Sequence, residues 1–109
     1  MESLKYLYHA TTSKENAMNI IHHGFNNEVA FFCTKPNHTV EFTSMYYGNG
    51  VYTVLEIDVS KLDKSRLERS YDHNPDFFSN DLQAFMYSGK VPTNAFTENY
   101  YTIEVKKWI

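Results

Sequence analysis

From Lys5 to His9, Tyr6 and Tyr8 alternate with Leu7 and His9, the two-residue period of a strand. The pattern then changes. Thr12 and Glu15 have capping-box spacing, and Ala17, Ile20 and Ile21 fall on one helical face with Met18 flanking it, so a helix is predicted to about His22. Gly24 ends it, because glycine tolerates the positive φ of a helix terminus. After Asn26 and Asn27, the apolar run Val29–Thr34 ("VAFFCT") has the composition of a buried strand. Pro36 suits a first helical turn, where its missing amide costs nothing, and "KPNHTVEFTSMYY" therefore predicts a second helix stopped by "GNG" at 48–50.

In the second half, Val51, Thr53, Leu55, Ile57 and Val59 alternate with Tyr52, Val54, Glu56 and Asp58, which predicts a strand with unlike faces. Between Ser60 and Asp81 charge, Asn and Pro are mixed. A short helix or strand fragment followed by a surface loop is the expectation there. A compact strand follows around Phe85–Tyr87, bounded by Gly89 and Pro92, and the segment beginning at Tyr100 alternates as a last strand. With no repeat, low-complexity tract or linker, residues 1–109 read as a single α+β domain.

Composition narrows the chemistry. The formal charge is −3 and Arg66 and Arg69 are the only arginines, so the chain lacks the basic footprint that grips a phosphate backbone. Nucleic acid stays open only as a transient substrate. Aromatic residues make up 17% of the chain, nine Tyr and eight Phe among them, which supplies flat faces for planar ligands as well as core area. One cysteine, Cys33, permits neither an internal disulfide nor a thiolate cluster, and suits a reducing cytosol. No stretch approaches the roughly 18 apolar residues of a membrane span. A cytoplasmic protein without membrane or metal partners is expected.

Individual residues are weighed next. His22 and His23, adjacent on a helix, point about 100° apart and cannot share an ion. His38 and His73 lie in polar stretches and read as solvated histidines. Cys33, beside Phe31 and Phe32, reads as a small core residue. No glycine-rich phosphate loop joins a strand to a helix.

What remains is an ordered set. The strand end "YHATT" carries His9, Ala10 and Thr11; "FFCTKPNHTVEF" carries Phe31, Phe32, Thr39 and Phe42; and "QAFMY" begins with Gln83. This order resembles the ADP-ribosyltransferase superfamily, in its poly(ADP-ribose) polymerase-like and diphtheria-toxin-like branch, including small bacterial and phage members. The resemblance runs from His9 to about Pro92. It implies a split antiparallel β-sheet with two short helices in the N-terminal half. It also implies NAD as substrate: His9 would hold the adenosine-side ribose, and backbone at Ala10 and Thr11 would clamp the nicotinamide amide. Thr39 would bond that amide, and Phe31, beside Phe32, and Phe42 would stack on the nicotinamide ring. Ala10 replaces the usual glycine and Phe31 the usual tyrosine.

Gln83 stands where the family has a glutamate; in another register Ala84 does. An ionised glutamate there stabilises the positive charge that grows as nicotinamide departs, and a neutral amide keeps its shape without its charge. Two functions stay open on these residues. One is an NAD-dependent mono-ADP-ribosyltransferase acting on a protein or nucleic-acid acceptor, with Gln83 and His9 as catalytic residues and attack from the side of Ser79–Asp81. If that chemistry needs a carboxylate, Asp81 or Glu98 is the candidate. The other is a lapsed module that binds NAD or an ADP-ribose derivative, as a phage or bacterial antagonist would; Gln83 as an engineered knockout is a variant of the first. An RNA 2′-phosphotransferase, which shares the fold, would need more arginines than this chain has.

Overall fold

The computed structural model describes residues 4–23, 29–70 and 83–106. Six strands and two helices follow one another as β1 (Tyr6–Thr11), α1 (Lys14–His23), β2 (Val29–Cys33), α2 (Pro36–Tyr47), β3 (Gly50–Asp58), β4 (Leu67–Ser70), β5 (Ala84–Ser88) and β6 (Phe96–Val105). All strand pairs are antiparallel, and they form one sheet in the order β4-β5-β2-β1-β3-β6.

The helices cover opposite faces. In the β1–β3 register Leu7 faces Ile57 and Ala10 faces Val54, and these pairs project to different sides of the sheet. Leu7, Ile57, Phe32, Tyr87 and Val91 form the larger core, closed by Ile20 of α1 and by Val59, Leu62 and Ala95 from short 3₁₀ turns. Ala10, Val54 and Tyr52 pack under Val40 of α2. Fully burying an aliphatic or aromatic side chain of this kind contributes about 1.5–3 kcal/mol, so both layers matter to the fold.

Several expectations are corrected. Because helices lie on both sides of β3, Tyr52 through Ile57 are all buried and the predicted unlike faces disappear. β1 runs on to Thr11, since Ala10 and Thr11 keep their partners Val54 and Thr53 in β3. The α1 cap is Ser13, whose hydroxyl accepts from the Asn16 amide at 3.1 Å; Thr12 instead accepts from the Asn16 side chain. His38 is not a solvated histidine, being 3% exposed on the inner side of α2. The short helix or strand fragment expected from Ser60 is present, as 3₁₀ turns at Val59–Lys61 and Lys64–Arg66, capped by Asp58 and Asp63, and then β4, while the loop expected after it falls on residues 71–82, outside the described ones. β6 starts at Phe96, earlier than the alternation at Tyr100 predicts. Gly24, Asn26, Asn27, His73 and Ser79–Asp81 lie outside the described residues.

Gly48 ends α2 as expected: at φ 79° and ψ −153° it occupies backbone space that side chains disfavour, while its amide donates to the Ser44 carbonyl at 2.8 Å.

Candidate functional site

The two halves of the sheet meet at a reduced seam. β1 and β2 share one pair, Tyr8 opposite Cys33, whereas β1 pairs with β3 along its whole length and β2 with β5. A ladder continued past Tyr8 would set His9 against Phe32 and Ala10 against Phe31. Neither pair forms, and an open cleft of about 360 Å³ lies there, lined by residues of β1, β2 and α2 and by Ala84 of β5.

His9 bridges the gap. Its Nδ1 lies 2.8 Å from the Phe31 carbonyl oxygen, and since a carbonyl can only accept, Nδ1 carries the proton and donates it. In the neutral ring Nε2 is then the acceptor. Burial pushes the imidazole below the ordinary histidine pKa, outweighing the Phe31 carbonyl, which acts the other way. The ring also meets Phe32 edge-on, with centroids 5.6 Å apart.

The far wall is α2. Thr39, Phe42, Thr43, Tyr46 and Tyr47 line the cleft, the i, i+3, i+4, i+7, i+8 stripe of one helical face. The Phe31 and Phe42 rings are stacked at 6.2 Å with 27° between planes. Stacked carbon atoms sit about 3.5 Å apart, so a third ring between these two needs about 7 Å between ring planes, more than their centroid separation, and the pair must part to admit one. Phe31 is partly open to solvent, which leaves room for that adjustment.

On the floor, burial pushes the Cys33 thiol up to about 12, with a Thr39 hydrogen bond opposing and Glu41 adding to the rise. That thiol is a packing group, not a nucleophile.

Of the residues singled out in the sequence, His9, Ala10, Phe31, Phe32, Thr39 and Phe42 all border this cleft. Thr11 does not. Its buried hydroxyl lies 2.9 Å from the Ser13 carbonyl and 3.0 Å from that of Thr53, and donates to them. Gln83 sits one residue before β5, its carbonyl accepting from the Thr34 amide at 3.3 Å, beside the cleft-lining Ala84. Glu98 lies on exposed β6 and is not among the residues lining the cleft. Thr43, Tyr46 and Tyr47 escaped the sequence reading, although Tyr46 lies one helical turn beyond Phe42 and could have been found by that spacing.

A second polar centre was also missed. Glu56, 5% exposed on β3, accepts from Tyr8 Oη at 3.0 Å, Thr97 Oγ1 at 2.8 Å, Asn99 Nδ2 at 3.1 Å and Tyr101 Oη at 3.4 Å. Burial alone would raise its pKa, but these four donors together hold it below the ordinary value. Tyr8, desolvated and bonded to that carboxylate, is shifted upward.

Among the described residues no group of three or more His, Cys, Asp or Glu side chains could hold a metal ion, and no helix is long and apolar enough to cross a membrane. No protein-family model matches the sequence, and no curated protein matches it.

Proposed function

We propose that the cleft is an NAD site of the ADP-ribosyltransferase type and that the chain transfers single ADP-ribose units to a protein or nucleic-acid acceptor. One observation carries the reading: His9, Phe31, Thr39 and Phe42, distributed over a strand, a second strand and a helix, border one cavity at the sheet's seam. The seam supports the split-sheet arrangement that the resemblance implies.

In this reading the nicotinamide ring stacks at the Phe31–Phe42 pair, with its amide between Thr39 and the backbone at Ala10. His9, held by Phe31, presents Nε2 to a ribose hydroxyl. The bond from ribose C1′ to the nicotinamide nitrogen breaks, its electron pair leaving with nicotinamide. The oxocarbenium-like carbon is then captured by an acceptor nucleophile, which gives up a proton. Gln83, at the mouth of β5, contacts the nicotinamide ribose.

A second reading, a binding module without chemistry, draws on a different observation. None of the described residues lining the cleft is Asp or Glu, and Gln83 is neutral. Nicotinamide release from NAD, measured for the chain as given and for Gln83→Glu, separates them. Release by the given chain together with ADP-ribose label on an acceptor supports the transferase, release by Gln83→Glu alone indicates a lapsed or disabled enzyme, and binding without release by either leaves the module. Absence of NAD binding would sink both.

A further inference from the structure

The last turn of α2 leaves two large aromatic side chains in the open. Tyr46 is 75% exposed and Tyr47 is 69% exposed, yet both border the cleft. The Tyr46 ring lies 6.0 Å from that of Phe42, which in turn stacks on Phe31, so Tyr46 extends the inner ring pair along the face of α2. A largely exposed tyrosine offers ring area and a hydroxyl at low conformational cost, which makes it a favoured contact residue. None of the described residues lining the cleft is Lys, Arg, Asp or Glu. A ligand reaching this wall therefore meets ring faces and hydroxyls rather than charge.

We propose that Tyr46 and Tyr47 form an outer subsite that takes a second, uncharged planar heteroaromatic ring by stacking, next to the ring held at Phe31 and Phe42. The inference rests on the reading of the inner site as a nicotinamide pocket. The outer ring is a nucleobase with two sources, the adenine of the same dinucleotide folded back over the helix end or a base presented by the acceptor.

Calorimetry with nicotinamide mononucleotide, with NAD, and with adenosine added to protein saturated in nicotinamide mononucleotide tests it on three proteins. These are the unaltered chain, Tyr46→Ala/Tyr47→Ala and Tyr46→Phe/Tyr47→Phe. Both positions are exposed at a helix end, so circular dichroism should be unchanged. The alanine pair should weaken the outer-ring ligand about tenfold, and the phenylalanine pair should stay within twofold of the unaltered chain. A loss with NAD but not with the mononucleotide assigns the ring to the dinucleotide's adenine; a loss with adenosine alone assigns it to the acceptor. The proposal is overturned if the alanine pair changes neither, or if the phenylalanine pair loses as much. Mononucleotide binding that persists in either case leaves the inner-site reading standing, whereas no binding of any ligand by the unaltered chain removes both.

Discussion

His9 and Phe31 are tied side chain to backbone across the seam, the imidazole Nδ1 donating over 2.8 Å to a carbonyl that a continuous ladder would have placed between strands. Because burial holds His9 below its ordinary pKa, the folded protein binds fewer protons there than the unfolded chain. Stability from this group is therefore complete above the unfolded value, about 6.5, and declines as pH falls from there toward the lower folded value. Thermal melts from pH 8 to pH 5 should show that decline, and His9→Gln should flatten it. An identical slope in the variant would assign the pH dependence elsewhere.

Phe42 joins the stacked pair to the small cluster of Cys33 and Ala84. Its partial burial makes Phe42→Ala moderately destabilising, roughly 1–3 kcal/mol, below the usual cost of a fully buried phenylalanine. NAD binding at a temperature where the variant is folded should weaken at least tenfold, while Phe42→Tyr, which keeps the ring, should bind as before. Equal affinity in the alanine variant would separate this ring from the ligand.

Four neutral donors hold the Glu56 carboxylate: two phenols, a hydroxyl and an amide. Substituting Glu56→Gln turns two acceptor oxygens into one acceptor and one donor, leaving buried donors without a match. A loss of roughly 2–4 kcal/mol is expected at pH 7 in urea denaturation. Since the folded carboxylate titrates below its unfolded value, its contribution is full above about pH 4.5 and falls as pH drops further. The gap between the two proteins should narrow at pH 3.

Gly48→Ala places a Cβ on a backbone at φ 79° and ψ −153°. The space around it is empty, so the cost is conformational, of the order of 1–3 kcal/mol. A destabilisation of that size with the cleft ligand still bound is the expected result. An unchanged melting temperature would show that the chain adjusts elsewhere.

Local punctuation made much of the chain legible. Pro36 and Gly48 bracket α2 correctly, and the alternation around Leu7 marks β1, because these signals depend on backbone propensity close in sequence. Burial on both faces of β3 was not legible, since it is set by α1 and α2 arriving from elsewhere. His38 looked solvated among Asn37 and Thr39, yet helix packing turns all of 38–40 inward. Much of the cleft wall follows from joining His9, Phe31, Thr39 and Phe42 in one frame. The continuation to Tyr46 was available from its spacing to Phe42, whereas Thr43 and Tyr47 needed the orientation of α2, which a stripe of threonines and aromatics does not announce by hydrophobic period.

The single ladder pair between β1 and β2, Tyr8 opposite Cys33, makes that seam the most thinly paired line in the sheet. Three strands lie to either side of it, and the join between the two sets falls instead on the His9–Phe31 hydrogen bond and on the layer of Leu7, Phe32, Ile57 and Tyr87 that spans the seam. A truncation in that layer therefore weakens the join between the two strand sets as well as the core.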